Sequence, residues 1–166
     1  QLKREILALV KKASKVGKIP CVRLNGTSDL PWEKVKLEGK SIMEHFADLQ
    51  FYDYTKSLTR MVDWCNGKMP KNYHLTFSRC ETTDDDVVKG IIKRGGNVAV
   101  VYKGEPPTID FNADVVNGDE SDLRFLDKQG VVVGLIAKGD AKHDDTGFVL
   151  EPNIDLRKAK EIGVLC

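Results

Sequence analysis

Hydrophobic positions along this chain switch between helical spacing and short continuous apolar runs. The first stretch has helical spacing over residues 2 to 16 and ends at Gly17, a typical C-terminal cap. A second helix is predicted over residues 41 to 48, where Ser41 and Glu44 form a capping box. Ser57 and Thr83 are predicted to cap two further helices. A short terminal helix is predicted over residues 155 to 163.

Apolar runs of strand length alternate with these helices. We predict strands at residues 18–24, 50–54, 72–77, 97–102, 113–116 and 130–137. Residues 103 to 113 contain two consecutive prolines and are predicted to be a loop. Alternating strands and helices predict an α/β fold with a mostly parallel sheet of about six strands and interleaved helices. The sheet is either open or curved into a partial (βα) barrel, which corresponds to part of a TIM barrel.

Composition narrows the class of protein. The 166 residues, 41% of them hydrophobic, suit a single α/β domain over residues 1–150 with a C-terminal tail over residues 151–166. A net charge of +1 gives no global electrostatic argument for nucleic acid or a membrane as partner. The chain lacks a signal peptide and a long apolar run, so a cytoplasmic location is expected. Because the chain begins at Gln1 rather than Met, we expect that it is processed or cut from a longer polypeptide.

Polar side chains follow the predicted strands where each strand ends. The carboxyl ends of parallel strands meet at one edge of a sheet, where α/β proteins bind their ligands. Carboxylates mixed with Lys and Arg suit an anionic ligand, and an Asp beside a Lys can transfer protons. The candidate catalytic residues are Asp29, Asp53, Lys56 and Asp119. The candidate ligand-binding residues are Arg23, Asn25, Ser28, Trp32, Thr55, Ser78, Arg79, Asn117, Arg124 and Lys138.

Several of these residues also have a purely structural interpretation. Asp29 before Leu30-Pro31 suits a turn cap, and Trp32 suits packing over the loop. Lys56 suits a solvated helix start, and Arg79 suits a surface ion pair. Asp119, Asp122 and Asp127 are candidate ligands of a divalent metal, but their spacing is not that of an EF-hand. A solvated acidic turn is therefore favoured, and metal binding is left unassigned.

Four segments together carry a family resemblance: Val22–Asp29 with Trp32, Phe51–Lys56, Asn72–Arg79 and Val116–Asp127. In these segments the chain resembles an uncharacterised family of bacteriophage-encoded proteins, over roughly residues 20 to 150. More distantly, the order of elements is similar to phage proteins with a radical-SAM-like (βα) barrel. The resemblance implies a location in the host cytosol.

The radical-SAM pattern requires an N-terminal C-x3-C-x2-C cluster that holds an iron–sulfur centre. The four cysteines here, at positions 21, 65, 80 and 166, do not have that spacing. The cluster segment either precedes Gln1 in a longer protein or is absent from this lineage. We therefore do not predict an iron–sulfur cofactor and leave the cofactor unknown.

Three functions are compatible with this sequence. The leading hypothesis is a phage-related, enzyme-like α/β domain that binds a nucleotide or nucleic acid at the carboxyl ends of its strands. The alternative is a non-catalytic phage accessory or assembly protein that acts through a protein–protein surface, for which the partner is a protein or a missing N-terminal segment. The third is a nucleic-acid-binding module that uses dispersed basic residues: Lys18, Arg23, Lys56, Arg60, Arg79 and Lys103.

Overall fold

A computed structural model describes residues 1 to 152 of the chain. The helix predicted over residues 155 to 163 lies outside the described residues. The chain divides into two compact units, Gln1–Leu75 and Thr76–Cys166, and each is described below by itself. A single domain over residues 1 to 150 stays a prediction.

The first unit contains three helices and two complete strands. Its elements are α1 (Leu2–Lys15), β1 (Cys21–Val22), α2 (Ile42–His45), β2 (Gln50–Thr55) and α3 (Leu58–Cys65), followed by the first residues of β3 (Tyr73–Ser78). β1 is much shorter than predicted because Pro20, which has no N–H, precedes it and a polar loop follows it. The capping box of α2 is present: Ser41 Oγ accepts from the Glu44 amide, and the Glu44 carboxylate accepts from the Ser41 amide.

The second unit begins within β3 and holds most of the remaining strands. Its elements are α4 (Asp85–Lys93), β4 (Asn97–Tyr102), β5 (Ile109–Asp110), β6 (Ala113–Asn117), β7 (Val132–Ile136) and β8 (Val149–Leu150), with short 3-10 helices at Arg124–Leu126 and Gly139–His143. The N-cap of α4 is Asp84 rather than the predicted Thr83. The Thr83 hydroxyl is instead the acceptor for the Cys80 amide, at 3.0 Å.

In the described part of the chain, eight strands form a non-closed sheet in the order β1-β2-β3-β4-β7-β6-β5, with β8 paired to β4. Parallel pairing joins β1 to β2, β3 to β4, β4 to β7, β7 to β6 and β4 to β8. β5 and β6 are antiparallel. The mixed α/β class and the mostly parallel sheet are confirmed, but the prediction of about six strands was too low.

The two unpredicted strands are short, and each depends on a local feature. β5 and β6 form a hairpin whose central residues, Phe111 and Asn112, both have positive φ, at 49° and 62°. This is the backbone of a tight hairpin turn, although the usual Asn-Gly signal is absent. Asp110 supports the turn because its carboxylate accepts from the Phe111 amide and from the Tyr102 hydroxyl. β8 pairs with β4 at Val101 and Tyr102, beyond the last β3 partner at Ala99.

Gly134 on β7 provides a test of packing in the second unit. A Cβ at this position would lie 2.6 Å from Pro106 Cβ and 2.8 Å from Val115 Cγ1, so it cannot fit without displacing neighbours. We expect Gly134→Ala to lower the free energy of unfolding by about 1–3 kcal/mol in urea denaturation. Gly90→Ala in α4 is the control, because nothing lies within 4 Å of its Cβ position. That change should stabilise the protein by roughly 0.5–1 kcal/mol, and equal effects of both changes would contradict the close packing at Gly134.

Candidate functional site

Asn25 organises the loop that follows β1. Its Oδ1 accepts hydrogen bonds from Ser28 Oγ, the Leu30 amide and Trp32 Nε1, at 2.9, 3.1 and 3.1 Å. Its Nδ2 donates to the Leu30 carbonyl, and its backbone N–H donates to Asp53 Oδ1 at 2.7 Å. The Asn25 side chain is buried, so these bonds are shielded from water. One amide therefore determines the course of the chain from residue 25 to Trp32.

Asp53 lies beneath this loop, in β2, and is fully buried. Its Oδ2 accepts from the Tyr73 hydroxyl at 2.8 Å and from Asn25 Nδ2 at 3.3 Å. Burial raises the pKa of Asp53 above its ordinary value, although the hydrogen bonds from Asn25 and Tyr73 act in the opposite direction. Burial and the neighbouring carboxylate of Asp53 also raise the pKa of Tyr73.

Arg60 in α3 is the cation of this buried cluster. Its Nε and Nη2 donate to the two carboxylate oxygens of Glu33 at 3.0 and 2.9 Å, and Nη2 also donates to the Tyr73 hydroxyl at 2.9 Å. Its Nη1 donates to Asp29 and, at 3.3 Å, to Thr55 Oγ1. Burial works against its charge, but the hydrogen bonds and charge of Glu33, with that of Asp29, raise the pKa of Arg60 above its usual value. We call Asn25, Asp29, Glu33, Asp53, Arg60 and Tyr73 the buried polar network.

Asp29 connects the loop after β1 to the end of β2. Its Oδ2 accepts from the Thr55 hydroxyl at 3.0 Å and from the Lys56 amide at 2.8 Å, while its Oδ1 accepts from Arg60. Asp29 thus binds the β2–α3 junction, where Thr55 Oγ1 also accepts from the Ser57 amide. The carboxylate is about one-third exposed.

The first unit brings eight predicted site residues together at the carboxyl ends of β1 and β2. Arg23 is exposed, and its guanidinium lies 4.8 Å from the centre of the Tyr54 ring. The Lys56 side chain is exposed at the start of α3. The eight residues are Arg23, Asn25, Ser28, Asp29, Trp32, Asp53, Thr55 and Lys56.

In the second unit, two predicted site residues, Asn117 and Lys138, contact Asp119, which is itself a predicted site residue. Its Oδ1 lies 2.6 Å from Lys138 Nζ, its Oδ2 accepts from the Ile136 amide at 2.9 Å, and its backbone N–H donates to Asn117 Oδ1. The hydrogen bond from Lys138 lowers the pKa of Asp119. The Lys138 side chain is largely exposed and that of Asp119 is 22% exposed, so the two form a surface ion pair at the ends of β6 and β7.

The predicted arginines of the second unit are buried and bonded to the chain itself. Arg79 Nη1 donates to the carbonyls of Gly147 and Phe148 at 2.8 and 3.2 Å, just before β8. Arg124 is 1% exposed, and its Nη2 donates to the Ser121 carbonyl. Its Nε lies 3.3 Å from Asp127 Oδ2, in an ion pair without hydrogen-bond geometry. Ser78 is the last residue of β3.

Two open clefts of the first unit lie elsewhere. One, of about 390 Å³, is lined by residues that include Glu33, Lys36, Glu44 and Lys68, and the other, of about 570 Å³, by residues at the starts of β2 and β3. Neither cleft is lined by the predicted catalytic residues. Among residues 1 to 152, no group of three or more His, Cys, Asp or Glu side chains could hold a metal ion.

The sequence did not predict three members of the buried polar network as site residues: Glu33 in the loop after β1, Arg60 in α3 and Tyr73 in β3. The sequence predicts no site role for Glu33 or Tyr73, and it predicts Arg60 only as one of the basic residues of a nucleic-acid-binding module. One signal was available: Tyr73 shares a strand face with Leu75 and Phe77, and a buried tyrosine hydroxyl requires a partner.

The fold and the network define a mixed α/β protein whose loops at the strand ends are held by buried polar groups. Its sequence matches the family model described as gene product 88 over residues 1–152, so the chain belongs to the gene product 88 family. The resemblance to a phage-type family is thereby confirmed, while the similarity to radical-SAM-like barrels stays a prediction. No curated protein and no solved structure matches the chain. No helix within residues 1 to 152 is long and apolar enough to cross a membrane.

Removing Arg60 tests how far the network stabilises the fold. Arg60→Ala leaves the buried Glu33 carboxylate without its cation, and we expect a loss of about 3 kcal/mol in the free energy of unfolding. Arg60→Met combined with Glu33→Met should cost less than the sum of the single changes, because both charges are removed. Lys36→Met, which breaks an exposed ion pair with Glu44, is the control and should have little effect. Additive single and double changes would contradict a coupled network.

The raised pKa of Asp53 predicts a pH dependence of stability. The folded state holds this proton more tightly than the unfolded state, so the contribution of Asp53 is fully present below about pH 4 and is lost as pH rises through its raised folded-state pKa. We expect the difference in unfolding free energy between the wild type and Asp53→Asn to fall with rising pH in this window. The corresponding difference for Asp119→Asn should change in the opposite sense, because the pKa of Asp119 is lowered. Urea denaturation from pH 3 upward measures both, and parallel curves would contradict the assignment.

Proposed function

We propose that the protein binds a phosphate-bearing ligand, a nucleotide or nucleic acid, at the carboxyl ends of β1 and β2. The observation that supports this proposal is the construction of the loop after β1. Its inner side is held by Asn25 and Asp29, while Gly26, Thr27 and Ser28 are exposed. A loop fixed before the ligand arrives loses little further conformational entropy on binding.

The charges at this edge favour an anion. The carboxylates of Asp29, Glu33 and Asp53 accept hydrogen bonds from within the unit, and Arg60 donates inward to them. The exposed cations beside the loop are those of Lys56 and of Arg23, whose guanidinium also donates to the Asn25 carbonyl and lies over the Tyr54 ring. An arginine fork and a lysine point charge are the usual protein partners of phosphate.

The proposed roles follow from burial. Lys56 and Arg23 contact the phosphate, and Ser28 with the neighbouring loop backbone contacts the rest of the ligand. Asn25, Asp29 and Asp53 are positioning residues that hold this loop, because their polar atoms are bonded within the network. An acid–base function of Asp29, Asp53 or Asp119 stays a prediction that only a bound substrate can test.

Titration calorimetry with nucleoside mono- and triphosphates, and with inorganic phosphate, tests the proposal. We expect Lys56→Ala to weaken nucleotide binding about tenfold, or about 1.4 kcal/mol, without changing the melting temperature. Lys40→Ala is the matched control, since Lys40 is an exposed lysine on another loop of the same unit. Asp29→Ala should both weaken binding and lower stability, because it releases the loop from β2 and Arg60.

Two results would contradict this proposal. One is a folded wild-type protein that binds none of these ligands at millimolar concentration. The other is equal binding by the wild type and Lys56→Ala.

The first result would favour the second candidate function, a non-catalytic accessory protein with a protein–protein surface. The observation that supports that candidate is the exposure of large apolar side chains near α1, which reaches 94% at Ile19.

A further inference from the structure

Helix α1 carries a concentration of positive charge that the rest of the chain lacks. Residues 1 to 18 hold six of the 26 basic residues but one of the 25 acidic residues. The whole chain is close to neutral, with a formal net charge of +1, so the remainder is net acidic. Charge is therefore segregated onto one surface element, which the overall composition conceals.

Three of the five cations of α1 lie on the face of the helix that points away from the core. Ile6 and Ala13 are its buried side chains. At 3.6 residues per turn, Arg4, Lys11 and Lys15 lie within about 40° of one another and roughly opposite the buried pair. All three are exposed, and within residues 1 to 152 none of them has an ion-pair partner. We call Arg4, Lys11 and Lys15 the basic stripe.

The dimensions of the basic stripe match a linear polyanion. Its three cations span about 16 Å along the helix axis at 1.5 Å per residue. Double-stranded DNA carries one negative charge per about 1.7 Å of its axis, counted over both strands, so a duplex lying along the helix would present several phosphates over that length. Lys12 and Lys18, both exposed, lie close to the stripe and extend the positive field.

A lipid surface fits this helix less well. A helix that lies in a membrane interface buries a continuous apolar face in the lipid. In α1 the apolar face packs within the protein through Ile6 and Ala13. The exposed apolar residues Leu7 and Leu9 lie about 160° apart around the helix, so they do not form a second apolar face.

We propose that the basic stripe of α1 is a docking surface for the phosphate backbone of nucleic acid, without base recognition. The surface lies outside the loop after β1, so this inference does not depend on the proposed function. Backbone contacts from one helix face give weak, salt-dependent binding that keeps the protein on the polymer.

Fluorescence anisotropy with a labelled 20-base-pair duplex tests the inference on the whole chain. For about four phosphate contacts, the logarithm of the binding constant should fall with the logarithm of salt concentration with a slope of about −3 to −4. Lys11→Gln combined with Lys15→Gln should reduce the slope by about 2 and weaken binding at least tenfold at low salt. Both changes are at exposed positions, and an unchanged melting temperature confirms that the variant is folded.

The matched control is Lys89→Gln combined with Lys93→Gln on α4. It removes the same charge at the same spacing from a helix that begins with acidic residues, and it should leave the slope unchanged. The α1 double variant should bind nucleotides as tightly as the wild type does, which separates loss of duplex binding at the basic stripe from failure of the nucleotide site.

Three outcomes would overturn the inference. One is a wild-type slope near zero or no duplex binding at low salt. Another is an equal loss of binding in the α1 and α4 double variants. The third is that polyglutamate, or vesicles with 30% phosphatidylserine, bind the stripe as tightly as the duplex, which would assign it to an acidic protein or a lipid surface.

Discussion

The first unit depends on the neutralisation of one buried cation, the guanidinium of Arg60. Taking this charge out of water is costly, and only several well-placed acceptors offset the cost. Glu33, Asp29 and the Tyr73 hydroxyl supply them from a loop and a strand that are distant in sequence. The position of α3 relative to that loop is therefore determined by the directions of the five guanidinium N–H bonds rather than by apolar contact alone.

The same network explains why the loop after β1 has a defined conformation without regular secondary structure. Apolar side chains tolerate small shifts, whereas a buried amide such as that of Asn25 loses most of its bonding energy when its partners move. Asp53 and Tyr73 extend this constraint to β2 and β3. A loop of this kind combines an exposed outer side with a rigid base, which is the arrangement expected where a protein must recognise a small group of atoms.

Local features of the fold were predictable from the sequence, and features that depend on distant partners were not. The capping box at Ser41 and Glu44 and the apolar run of β4 are determined by neighbouring residues, and both were predicted correctly. β5 was missed because its turn places Phe111 at positive φ, which few sequences signal. β8 was missed because its two residues become a strand only by pairing with β4.

For the candidate site, the residues of the loop after β1 were predictable as a group. Arg60 was not, since its inward direction follows from acceptors on other elements.

The pairing of β8 with β4 has a consequence for synthesis of the chain. β3 pairs with β4 only as far as Ala99, and Val101 and Tyr102 are covered on that side by β8. On the ribosome, β4 emerges some fifty residues before β8, counted from the pairing of Val101 with Val149. During that interval an apolar strand presents unpaired backbone groups, which is the configuration that favours intermolecular strand pairing. Arg79, whose amide bonds to the Ala99 carbonyl of β4 and whose guanidinium bonds to the carbonyls of Gly147 and Phe148, then positions the residues that precede β8.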